Sequence, residues 1–333
     1  MTRRLLACLF AGALLLPACG REDSGPRRYV IEVDAKSTAE AKVQYSAYYP
    51  AALRLGPGDS IRFRNQSTEA PHTISFGINA DRSNQPPILT DTGENPVVVE
   101  PCDIDDLPTN ELLECDTSKL GAFDGQGYWN SGFLMPQPAP KDAGDKAVTL
   151  SLANDIPAGE YTYVCILHPF MSGQITVIEE GEDRSAPADI KKEGSDAIKV
   201  AKQAAADLTE PELEEDGDTV TAAAGWGDKT LSVNRFAPAE IEVDAGTTVR
   251  WAAQNPYEPH TVTFDPPDDA NPFAPPGGVE GGSSYSGGFA HSGLYGAEGT
   301  PFAGEFSLRF TEAGDYDYVC LLHPGMAGSV KVT

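Results

Sequence analysis

Histidine is scarce in this chain, with five among 333 residues. No two of them form a His-x-His pair, so a catalytic cluster built from many imidazoles is excluded. Basic residues are also few: 24 Lys and Arg stand against 50 Asp and Glu, for a formal charge of −26. That balance argues against nucleic acid and against electrostatic binding to anionic lipid. It suits solubility and a partner with a basic face, and a simply solvated acidic surface explains it equally well. Met-rich and Cys-rich segments are missing, which speaks against metal storage or exchange. The one long apolar run, from Leu5 to Leu16, is about a dozen residues and too short for a permanent membrane span.

That run has its own meaning. Arg3 and Arg4 precede it, and Leu16-Pro17-Ala18-Cys19-Gly20 closes it. The pattern resembles a bacterial lipoprotein signal, with residues 1–18 removed and Cys19 lipidated as the first residue of the mature chain. An ordinary secretory signal is the alternative. Either one places the mature protein outside the cytoplasm, and the lipoprotein reading makes it membrane-anchored on the periplasmic or cell-surface side. Cys8 leaves with the signal. In an oxidising compartment Cys102 and Cys115 then have a disulfide as their default.

What the chain does contain is a repeated loop. Tyr163–Met171 reads YVCILHPFM, and Tyr318–Met326 reads YVCLLHPGM. Around each loop the sequence repeats at an offset of 155 residues (Cys165 to Cys320), from Ala158-Gly159 and Ala313-Gly314 through Gly173 and Gly328. Upstream a second repeat holds at an offset of 188 (His72 to His260): Leu53, Leu55, Gly58 and Ile61 answer to Ile241, Val243, Gly246 and Val249. Apolar residues alternate on both sides of the glycine, a strand–turn–strand signature. Both copies then run into Pro-His-Thr, at Pro71-His72-Thr73 and Pro259-His260-Thr261.

These repeats predict an all-β protein of two sandwich domains. Residues 19–39 form a tether with a first strand over Arg28–Val33; residues 40–178 form the first domain and 219–333 the second. The first copy is longer by 188 − 155 = 33 residues between Pro-His-Thr and the loop. The polar, acidic stretch at about 84–127, with Cys102 and Cys115, holds part of that excess. Its Asp103, Asp105 and Asp106 lack the glycine and terminal glutamate of an EF-hand, so a solvated loop is expected. Trp129–Phe133 loosely echoes Tyr285–Phe289, and both stretches are expected near the metal ends. Residues 179–218 are a charged linker. A short helix is expected there from Ser195 as N-cap to Leu208, with Ile198, Ala201, Ala205 and Leu208 packed against one domain.

Each half offers two imidazoles, a thiolate and a thioether: His72, Cys165, His168 and Met171, then His260, Cys320, His323 and Met326. Two His and one Cys with a distant Met is the donor set of a blue-copper electron-transfer site. Thiolate and thioether favour Cu(I), and imidazole serves both oxidation states. Thr73 and Thr261 follow the first histidine and are candidates to brace the Cys loop, with plain packing the other open reading.

On these residues both halves resemble the plastocyanin/azurin family of cupredoxins, and Cys-x-x-His-Pro-x-Met has the short spacing of amicyanins. The resemblance implies Greek-key β-sandwiches, one type 1 copper in each domain and single-electron transfer with redox partners such as a cytochrome c, an oxidase or a dehydrogenase. Nitrite reductases and multicopper oxidases also use tandem cupredoxin domains, but they need further histidines. Here only His291 is spare, and a loop position near the second site is expected for it. An electron carrier, not an enzyme, is therefore the leading reading, with copper storage or delivery behind it. Phe170 in one loop against Gly325 in the other implies that the two sites differ in exposure and potential.

Overall fold

A computed structural model describes residues 25–77, 89–91, 96–98, 121–127, 129–136, 146–168, 170–255, 257–296 and 305–333. Cys19, the Cys102–Cys115 pair and the Asp103–Asp106 cluster lie outside them.

The described residues are mainly β-strand and form two sandwiches. In the first, one sheet runs in the order Ala147–Ser151, Ser60–Asn65, Arg28–Val33, Tyr48–Tyr49. The facing sheet runs Ala52–Leu55, Ser172–Val177, Gly159–Val164, Ser75–Phe76, Trp129–Asn130. Arg28–Val33 pairs in parallel with Ser60–Asn65, so this strand is part of the first sandwich rather than of a tether. Its alternation buries Tyr29, Ile31 and Val33 against the facing sheet.

The second sandwich repeats the plan. One sheet carries Leu231–Ala237, Thr219–Gly227, Thr248–Gln254, Glu305–Phe310 and Ser284–Tyr285. The other carries Glu240–Val243, Ala327–Val332, Gly314–Val319, Thr263–Phe264, Ala290–His291 and Gly277–Gly278. The cores match as well. Tyr48, Phe63, Phe76 and Tyr163 pack together in the first, and Phe236, Trp251, Phe264 and Tyr318 in the second.

The two units are joined by more than a linker. Val43–Tyr45, from the first repeat's sequence, pairs antiparallel with Leu231–Ala237 and becomes the edge strand of the second sandwich. A third apolar cluster lies behind it, combining Ala35, Val43, Tyr45 and Tyr49 with Trp226, Leu231, Val233 and Ala237.

The helix of the linker spans Pro187–Ala206, longer than expected and begun eight residues before Ser195. Pro187 in the first turn presets the backbone, Ile190 is buried against the first core, and Lys192 pairs with Asp196 one turn on. Ser195 lies inside the helix and its hydroxyl donates to the Lys191 carbonyl. Ile198, Ala201, Ala205 and Leu208 pack on the shared cluster, and thus on residues of both sandwiches rather than one.

The middle of the repeat aligns differently from the sequence echo. Ser131 and Ser292 make the same contacts: each hydroxyl accepts the N–H of Ile74 or Val262. This offset is 161, which pairs Trp129–Phe133 with Ala290–Leu294 and not with Tyr285–Phe289. The 33 extra residues therefore divide as 188 − 161 = 27 before Ser131 and 161 − 155 = 6 after it. His291, on a short strand rather than a loop, takes the place of Asn130.

Candidate metal centres

The last two strands of each sandwich form a hairpin with a seven-residue connection, Cys165–Met171 or Cys320–Met326. Backbone bonds close it: Cys165 N donates to the Met171 carbonyl and Met171 N to that of His168, at 3.0 and 3.3 Å. The second loop repeats both, at 2.9 and 3.1 Å. The glycine that follows has a packing reason. A Cβ on Gly173 or Gly328 would fall 2.3 or 2.5 Å from the Tyr163 or Tyr318 ring across the hairpin.

The upstream histidine is held just as firmly. His72 exchanges both backbone hydrogen bonds with Leu134, and His260 does so with Tyr295. This brings the predicted residues together. In each sandwich the His, Cys and His donor atoms lie within 4.8 Å of one another, all buried. Sγ of Cys165 is 3.8 Å from Nδ1 of His72 and 3.4 Å from Nδ1 of His168. Sγ of Cys320 is 3.6 Å from Nδ1 of His323. The two imidazoles of a set are tilted alike, 53° in both sandwiches. Met171 and Met326 are buried at the loop ends.

Thr73 and Thr261 brace the loops. Their backbone N–H groups point at the cysteine sulfurs at 3.4 Å, and their hydroxyls accept the N–H of Ile166 or Leu321 at 3.0 and 2.8 Å.

The electrostatics favour a metal. Burial alone would push both thiols up, but the adjacent histidines outweigh it and hold Cys165 and Cys320 well below the ordinary thiol range. Neither nitrogen of buried His260 has a hydrogen-bond partner among the described residues, an orphaned pair that a metal at Nδ1 would half resolve. Soft, anionic and imidazole donors converging in a dry pocket fit copper.

Two carboxylates that the sequence did not single out complete the sites. Asp34 Oδ2 lies 2.9 Å from His72 Nε2, and both side chains are buried. Glu258 stands between the sandwiches. Its Oε1 is 3.1 Å from His323 Nε2 and its Oε2 is 3.9 Å from His168 Nε2. Gln44, on the exchanged strand, donates to Oε2 at 2.9 Å. The His323 contact above all outweighs burial and holds Glu258 at about 2. Nothing in the sequence signalled either acid, since their burial beside the histidines is a property of the fold.

The first loop also grips the second sandwich, and the second loop holds the chain that flanks the exchanged strand. The Phe170 ring meets Tyr257 edge-on at 4.9 Å, with Lys229 over its face, and Lys42 donates to the Pro324 carbonyl. His291 belongs to neither donor set, though it lies near enough to the second for Cys320 to act on its charge. Its Nδ1 lies 2.8 Å from Thr263 Oγ1, as Asn130 Nδ2 lies 2.6 Å from Ser75 Oγ.

Comparison with known proteins bears on the second half directly. Residues 227–333 match the copper binding proteins of the plastocyanin/azurin family. Similar solved structures are cupredoxins too. The Cu(I) form of a methionine-to-alanine mutant of amicyanin is 23% identical, over 38% of this chain and 94% of that one, with a TM-score of 0.24. A purple cupredoxin from Nitrosopumilus maritimus is 23% identical, over 34% of this chain and 98% of that one, with a TM-score of 0.22. No curated protein matches the chain.

Proposed function

We propose that the protein is an electron carrier with two type 1 copper sites, held by His72, Cys165, His168 and Met171 and by His260, Cys320, His323 and Met326. The observation that carries this reading is the convergence of a His, Cys, His set in both sandwiches, where the histidines hold each thiol below its ordinary range. Copper there would supply one-electron chemistry, alternating between Cu(I) and Cu(II). The chain's part is to keep the donors fixed. Hairpin closure and the threonine braces hold Cys and His in place, so little has to rearrange as charge changes. Burial excludes water, and the Thr73 and Thr261 N–H groups temper the charge on sulfur.

The lipoprotein-like signal adds an extracytoplasmic protein anchored through Cys19. Its acidic surface suits a basic docking face on a redox partner such as a cytochrome c, an oxidase or a dehydrogenase. The enzyme reading is weaker because the spare histidine, His291, takes the hydrogen-bonding place of Asn130. Visible and EPR spectra of the oxidised protein, with copper counted per chain, test the proposal. Two coppers with intense thiolate-to-copper absorption are expected. Cys165→Ser and Cys320→Ser should each remove one blue centre and spare the other. Absence of the band would overturn the reading, and an additional type 2 signal would redirect it to an enzyme.

A further inference from the structure

We infer that Glu258 is a positioning residue shared by both centres, one carboxylate that sets their reduction potentials together. The inference rests on the two-copper reading above and concerns what lies behind the ligands.

Glu258 is buried between the sandwiches, against His323 of one set and His168 of the other. The bridge is single. The repeat places Ala70 where the second half has Glu258, and among the described residues no acid of the first sandwich pairs with His168 or His323. Gln44 fixes the second carboxylate oxygen from a strand that itself crosses between the units. The far nitrogen of each imidazole therefore faces the same anion.

A carboxylate at the outer nitrogen of a ligating imidazole makes the ring a more electron-rich donor. It also places negative charge near the metal in a medium that screens poorly. Both effects favour the more positive metal state and lower the potential. Glu258 thus acts in the same direction on both centres, more strongly on the second, where it accepts a hydrogen bond at 3.1 Å, than on the first at 3.9 Å. Asp34 differs in kind. Its Oδ1 accepts the N–H groups of Ala35 and Tyr45, and His72 is the one candidate ligand its Oδ2 meets among the described residues, so it can move only the first centre. A residue of the second sandwich is in this way part of the tuning of the first.

The experiment measures both potentials by spectroelectrochemistry in copper-loaded full-length protein, with Cys165→Ser and Cys320→Ser isolating each centre. Glu258→Gln is expected to raise both. At the second centre the reduction equilibrium should shift tenfold or more, about 59 mV for one electron, and at the first by less. Asp34→Asn should raise the first centre only. Glu258→Ala, which sets no new donor against Gln44, repeats the measurement if the amide does not fold. Tyr257→Ala loosens the same interface but keeps the carboxylate, and should leave both potentials near those of the parent. The shared role is overturned if the first centre does not move when Glu258 is replaced, or if Tyr257→Ala shifts both as far. Loss of the blue bands in the parent protein would instead refute the copper reading.

Discussion

Asp34 of the first sandwich and Gly225 of the second occupy the same place, and only Asp34 reaches a histidine. The strand registers place both at one position, since Arg28 opposes Ser60 and Thr219 opposes Thr248. Both residues are left-handed, with φ of 62° and 70°. Aspartate tolerates that conformation better than most side chains, and glycine adopts it freely. Behind His72 there is a carboxylate; behind His260 there is none among the described residues. The first centre should accordingly have the lower potential, and the half-reduced protein should hold its electron in the second sandwich. Redox titration followed at the two blue bands checks this, and Asp34→Asn should narrow or reverse the gap.

Gly225 should tolerate no side chain. It sits at the bulge of Thr219–Gly227, and a Cβ there would lie 2.1 Å from His260 Nε2. Gly225→Ala is expected to bleach the second centre while the first keeps its absorption. Copper counting on the variant should give one ion per chain.

The candidate ligands stood out in the sequence because the donor pattern repeats. Cys165 and Cys320 lie in loops whose spacing is invariant, and His72 and His260 precede a threonine at one fixed offset. The carboxylates were illegible because each occurs once. Asp34 and Glu258 have no repeat partner, and among 50 acidic residues nothing in composition distinguishes them. The helix start was missed because Ser195 is a strong capping residue type, whereas the observed N-cap, Ala186, has no capping side chain and relies on Pro187. The exchanged strand, three residues long, is too short for periodicity to assign to either sheet.

The metal-free protein should lose stability as the solution turns alkaline. Burial opposes protonation of His72 and His323, but Asp34 and Cys165 push the first up to about 9, and Cys320 and Glu258 push the second up to about 10. Both exceed the unfolded value of about 6.5. Their stabilisation is therefore whole below pH ~6.5 and lost as pH rises through about 9 and 10. His260 acts oppositely, since burial lowers it and its contribution is lost as pH falls through the folded value. Between pH ~7 and ~8.5 the protons kept by His72 and His323 are offset by those lost from the low-shifted thiols of Cys165 and Cys320. Urea midpoints of the metal-free chain should therefore hold there, fall from pH ~8.5 to ~10, and decline less when copper is loaded.

The threonine hydroxyls should matter in parallel. Thr73→Val leaves the buried N–H of Ile166, and Thr261→Val the partly buried N–H of Leu321, without its acceptor. Each should cost about 1–3 kcal/mol and weaken copper binding about 10- to 100-fold at its own centre. Competition with a chelator, read at the two bands separately, checks this.

The strand Val43–Tyr45 makes the protein divisible on paper and indivisible in practice. A gene fragment for residues 219–333 would carry a full donor set, yet Leu231–Ala237 would be stripped of its neighbour. Its unpaired N–H and C=O groups, beside the uncovered Trp226, Leu231 and Val233, would form an adhesive edge. Such a fragment is suited to pair with a copy of itself, so the first half serves the second as a built-in chaperone.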